Sequence, residues 1–191
     1  MTAADLPTIP FKGPAAWSRW LAKNHADSVG IWMRLFKKGT AQPSITYAEA
    51  LDEALAYGWI DGQKKSADGD SWLQKFTPRR PRSGWSRINT RHAERLIREE
   101  RMKHAGLAQV EAARADGRWD RAYDSPSAST LPDDFLAALK KDWKAQAFFD
   151  GLNKSNKYAI AYRLQTAKRP ETREKRMREL LAMLSRGEKL H

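Results

Sequence analysis

The chain has 191 residues, 41% of them hydrophobic, with eight tryptophans, no cysteine and a formal net charge of +12. That size suits one domain, or one domain with an appendage, burying about 70% of its unfolded surface, and the apolar content excludes a disordered chain. The missing cysteine excludes disulfides, thiolate metal sites and cysteine nucleophiles, and it fits a reducing compartment.

The N-terminal stretch MTAADLPTIPFKG lacks the basic and apolar regions of a secretory signal. No apolar run approaches the roughly 20 residues that span a bilayer, so a cytoplasmic protein without membrane insertion is expected. Pro14 stands at the first position of a helix, PAAWSRWLAKNHA, with Trp17, Trp20 and Leu21 on one face. The alternation in SVGIWMRLFKKG predicts a strand near 28–37, with Val29, Ile31, Met33 and Leu35 on one face and Trp32, Arg34 and Phe36 on the other. In ITYAEALDEALAYG, Thr46 caps a helix, Glu49 completes a capping box and Gly58 ends it; Leu51, Ala54, Leu55 and Tyr57 form the buried stripe.

Two strands, near 59–66 and 71–77, flank ADGD, whose Asp-Gly step is a hairpin signal. After the arginine-rich loop that follows, WSRINTRHAERLIREERM reads as a helix. Ile88, His92, Leu96 and Ile97 should face inward, and Arg91, Arg95, Arg98 and Arg101 mostly outward. A further helix ends at Gly117. AYDSPSASTLP, rich in Ser and Pro, reads as a linker over 122–131. Beyond it the pattern is helical only. Pro132 opens PDDFLAALKKDWKAQAFFDG with Phe135, Leu136, Leu139 and Trp143 as its stripe; Ser155 caps the next helix; and Pro170 starts a last one that ends at Gly187. The expected class is α+β. A small, mostly antiparallel sheet with helices fills an N-terminal domain over 1–121, and a helical module occupies 132–191.

The basic charge is concentrated. Residues 75–103 carry a net +7 and residues 131–191 a net +6, whereas the remainder is close to neutral. Such concentration raises the local density of anions. The strongest candidate site is FTPRRPRSGWSRIN, residues 76–89. Guanidinium forks suit carboxylates and phosphates. Two prolines stiffen the path of Arg79, Arg80 and Arg82. Trp85 adds an aromatic face, and Ser86 and Asn89 lie at a helix start, where free N–H groups favour an anion. Alternation along an extended loop puts Arg80 and Arg82 on one side and Arg79 on the other. Asp61, in GWIDGQ, is a turn residue, and it could also brace one guanidinium. The competing reading is an internal staple, with Arg79 and Arg80 paired to Asp61, Asp68 or Asp70. No Walker loop, dinucleotide fingerprint, nucleophile elbow or zinc spacing occurs, so no catalytic residue, metal or cofactor is assigned.

The stretches WSRWL, SITYAEALDEALAYGWIDG, FTPRRPRSGWSRIN and AKRPETREKRMRELLAML resemble the bacteriocin-protection, YdeI/OmpD-associated proteins of bacteria, from about Trp17 to Leu184. The resemblance implies a role in antimicrobial stress and brings no catalytic residue with it. The expected activity is therefore non-enzymatic binding of a protein partner or small anionic ligand through Arg79–Asn89. The alternatives are a nucleic-acid-binding protein, where basic charge interleaved with tryptophan suits single strands, and an enzyme acting on an anion with Asp61 as base.

Overall fold

A computed structural model describes residues 6–125 and 128–190. These divide into two compact units, one of residues up to Trp85 together with Asn89–Asp120, the other of Ser86–Ile88 and the residues from Arg121 onward.

The first unit is built on a four-stranded sheet. Its elements are β1 (Thr8–Pro10), α1 (Pro14–Asn24), β2 (Ile31–Phe36), α2 (Tyr47–Ala56), β3 (Trp59–Ser66), β4 (Ser71–Pro78), α3 (Arg87–Arg98, whose first two residues group with the second unit) and α4 (His104–Ala115). Strand order is β1-β2-β4-β3. β2–β4 and β4–β3 are antiparallel, whereas β1 runs parallel to β2. The sheet is thus mixed, not mostly antiparallel. β1 left no periodic signal because it is three residues long and ends in Pro10, which an edge position tolerates.

Alternation along β2 sorts its side chains as the pattern requires, but Val29, expected on the buried face, precedes the strand and is exposed. Ile31, Met33 and Leu35 enter the core with Trp17 and Leu21 of α1, Ala50 and Ala54 of α2, Trp59 and Phe76. The buried indoles satisfy their polar edges on backbone: Trp17 donates to the Ala50 carbonyl and Trp59 to that of His25, each at 3.1 Å. Thr46 and Glu49 form the capping box of α2. Past its C-terminus Gly58 adopts φ 75°, a left-handed value that a side chain resists.

α4 lies against α2 through Gly106. A Cβ there would stand 2.7 Å from the Leu55 carbonyl oxygen and closer still to that of Ala56.

α3 departs from its expected orientation. Ile88 is 41% exposed, and the arginines expected outward include two that are engaged. Arg95 holds both oxygens of Asp52 at 2.6 Å, and Arg101 reaches Glu53 at 2.8 Å. His92 meets the same Asp52 at 2.9 Å. The left-handed Glu100 (φ 55°) turns the chain after α3 to bring Arg101 there. Periodicity marks a polar face but cannot say that acids of another helix lie opposite it.

The second unit holds α5 (Asp133–Leu139), α6 (Trp143–Asp150), α7 (Lys154–Gln165) and α8 (Pro170–Ser185). Phe135, Leu139, Ala145, Phe149, Ile160, Leu164, Leu180 and Leu184 form its core. The expected single helix from Pro132 is broken. Asp142 caps a new helix by accepting from the Lys144 and Ala145 N–H groups. The break resets the phase, and Trp143, expected in the buried stripe, is 75% exposed. α7 is capped by Asn153, not Ser155. Among the described residues, no helix is long and apolar enough to cross a membrane.

Candidate functional site

The arginine loop begins where β4 ends and is folded back on its own unit. Arg79 donates its N–H to the Gly58 carbonyl (3.0 Å), the position at which the left-handed turn after α2 presents an acceptor. Its side chain is 6% exposed. The guanidinium carbon lies 3.5 Å from the Trp85 ring centroid, and Nη1 donates to the Gly84 carbonyl at 3.1 Å. Trp85 is buried in turn against Trp119, with ring centroids 4.9 Å apart. Arg118 closes the loop from the other end, donating to the Ser83 carbonyl at 2.8 Å while Asp116 holds its Nε. Arg79, Trp85 and Arg118 therefore clamp the base of the loop.

The clamp determines what remains outside. The Ser83 N–H bonds to the Arg80 carbonyl at 3.0 Å, so residues 80–83 form a tight turn. Pro81 and Arg82 are its central residues, and Arg82 has φ 68°. Proline at the first central position and positive φ at the second are the geometry of a type II turn, which favours glycine at the second place. An arginine stands there instead. Arg80 and Arg82 are both exposed, and neither forms an ion pair among the described residues. Arg79 thus points in, and Arg80 and Arg82 point out.

The other predicted site residues lie elsewhere. Among the described residues Asp61 braces no guanidinium; it accepts from the Tyr47 hydroxyl at 2.7 Å. Burial, and then that hydrogen bond and the Asp61 charge, push the Tyr47 phenol above its ordinary range. Asp68, a candidate staple for the loop, pairs with Arg34 of β2. The Trp85 ring is no open stacking face, because Arg79 and Trp119 cover it. Asn89 is buried. Ser86 belongs to the second unit, where it bridges to Tyr123, and the Arg87 N–H donates to the Tyr123 carbonyl at 2.8 Å. The start of α3 therefore spends its first donor on backbone and not on an anion.

Sequence reasoning missed the Arg118–Asp116 clasp and the Asp52 network. Neither is marked by a motif, and the network joins acids and bases far apart in the chain. Burial opposes the charge of Asp52, yet the hydrogen bonds from Arg95 and His92 prevail and hold its carboxyl below the usual range. The second unit carries an open groove of about 490 Å³ lined by residues including Phe148, Leu152, Asn156 and Lys189. Its buried Asn156 amide is already engaged with Asn153 at 3.1 Å. Among the described residues no group of three or more His, Asp and Glu could hold a metal ion.

A two-part chain of this kind, a mixed sheet with a clamped arginine loop and a separate helical unit, is matched in two parts. The chain belongs to the family described as Domain of unknown function (DUF8412), whose model covers residues 9–109. Residues 128–187 match the family described as Bacteriocin-protection, YdeI or OmpD-Associated. The resemblance read from the sequence is therefore shown over the helical unit, in which AKRPETREKRMRELLAML lies; the arginine-loop and GWIDG stretches fall within the first family. No curated protein and no solved structure matches the chain.

Proposed function

We propose that this is a cytoplasmic, non-enzymatic protein of bacterial antimicrobial stress that captures a small anionic group, free or on a protein partner, through Arg80 and Arg82. The stress assignment rests on the family that residues 128–187 match. The binding assignment rests on one observation: an exposed arginine, free of ion pairs among the described residues, occupies the left-handed position of the 80–83 turn. That conformation costs a non-glycine residue on the order of 1 kcal/mol, and such strain concentrates at functional positions. The buried Arg79–Trp85 clamp supports the reading, since a rigid base lowers the entropy lost when two long side chains close on a ligand.

Thermal melts in a phosphate series at fixed ionic strength test it. Phosphate at a hundredfold excess over its dissociation constant stabilises by about 2.7 kcal/mol, a rise of about 5–10 °C for a chain this size. Arg80→Ala should reduce the rise. Arg82→Gly should reduce it too while leaving the phosphate-free midpoint unchanged or higher, because glycine relieves the turn. A full rise in both variants refutes the assignment.

A further inference from the structure

The sheet face opposite the core carries a second arrangement that the arginine loop does not explain. Trp32, Arg34 and Phe36 project there from β2. The register sets Lys75 of β4 opposite Trp32, and Leu73 opposite both Arg34 of β2 and Lys65 of β3. The Lys65 ammonium lies 4.1 Å from the Trp32 ring centroid, and that of Lys75 5.9 Å. The Arg34 guanidinium carbon lies 5.0 Å from the Phe36 ring. Neither lysine forms an ion pair among the described residues; Arg34 alone has one, with Asp68. Two aromatic rings four residues apart on one strand stand about 13 Å apart along it, each beside a cation.

We propose that this face binds single-stranded nucleic acid, with Trp32 as a base-stacking platform and Lys65 and Lys75 as phosphate ligands. Alternating aromatic and cationic side chains on a sheet face are what an unpaired strand needs. Bases stack on rings whatever their identity, and phosphates take the neighbouring charges. Trp32 is 7% exposed, and flexible lysine side chains lie over its ring. Base stacking outweighs an exposed cation–π interaction, so an incoming base displaces the Lys65 ammonium, which stays within reach of the adjoining phosphates. Charge complementarity selects the occupant. An apolar partner would bury two uncompensated ammonium groups, and an acidic protein surface would use the lysines but not the rings.

The test is fluorescence anisotropy of a labelled oligothymidylate of about sixteen nucleotides across a salt series, with the full-length chain. The double variant K65A/K75A should bind at least about tenfold more weakly and lower the slope of log K against log salt by about 1.4, or about 0.7 for each phosphate no longer neutralised. Trp32→Leu should weaken binding about five- to hundredfold with its salt slope intact, as removal of one stacked base predicts. K140A/K141A removes the same charge from the helical unit and should change affinity by less than about twofold. The proposal is overturned by absence of binding at low salt or by wild-type affinity in K65A/K75A. It is equally overturned by an equal weakening in K140A/K141A, or by competition from polyglutamate of matched charge as effective as unlabelled oligothymidylate. If Trp32→Leu does not fold, the lysine variants and the polyglutamate competition decide. The arginine-loop variants should leave this affinity within about twofold, which separates the two readings.

Discussion

Gly106→Ala sets two physical effects of opposite sign against each other. Gly106 lies inside α4. On helix propensity alone, alanine there should stabilise by about 1 kcal/mol. The packing says otherwise. The new Cβ would sit 2.7 Å from the Leu55 carbonyl oxygen and 2.8 Å from the Ala56 carbonyl carbon, where ordinary van der Waals separations begin at 3.4 Å. Both obstacles are backbone of α2, so no rotamer change relieves them, and α2 and α4 must separate by roughly half an ångström or more. Overpacking of this kind costs about 1–3 kcal/mol. The Ala56 carbonyl also accepts from the Lys103 N–H at 3.0 Å, and separation strains that bond, worth about 1 kcal/mol. With the propensity gain subtracted, the net expectation is destabilisation by about 1–3 kcal/mol, a fall in midpoint of roughly 2–12 °C by calorimetry. Ala108→Gly, at an exposed position of the same helix, should cost about 1 kcal/mol through propensity alone. If Gly106→Ala melts at or above the wild-type temperature, the close α2–α4 approach is wrong.

Leu55→Ala should cost about 2–5 kcal/mol in urea titration, because the side chain is fully buried; a change under about 0.5 kcal/mol would mean that the α2 face is misassigned. Arg79→Lys keeps the charge but gives up the flat guanidinium over Trp85 and the Gly84 bond. It should lower stability by about 1–3 kcal/mol and shift the near-ultraviolet circular dichroism of Trp85 and Trp119. On acidification, several carboxyls give up stabilising partners, Asp52 and Asp134 among them. Burial raises Asp52, but Arg95 and His92 outweigh it; the Arg173 hydrogen bond lowers Asp134. Folded values below the ordinary 3.8 mean that this stability is complete above about pH 4 and is lost as the pH falls through the lower folded values. Equilibrium unfolding should show it, and Asp134→Asn should flatten the acid limb.

Local signals determined much of this protein. The Thr46–Glu49 box, the Gly58 terminus and the ADGD turn are each set by neighbours a few residues apart, so α2 and the β3–β4 hairpin were legible from the chain alone. The alternation in β2 likewise separated Ile31, Met33 and Leu35 from Trp32, Arg34 and Phe36. Of the candidate site, the density of arginine and its stiffening prolines could be read, but not which arginine is used. That depends on Trp119 and Arg118, well over thirty residues downstream of Arg79, which bury Arg79 and Trp85 and leave Arg80 and Arg82 in solvent. The parallel strand β1 and the inward turn of Arg95 and Arg101 onto Asp52 and Glu53 are of the same kind. A three-residue strand has too little length for periodicity, and a charge on a helix face finds its partner only when another helix is laid against it. Local spacing specifies elements because backbone hydrogen bonds and caps are short-range; pairing across the fold fixes which polar groups are buried, and so which remain to bind.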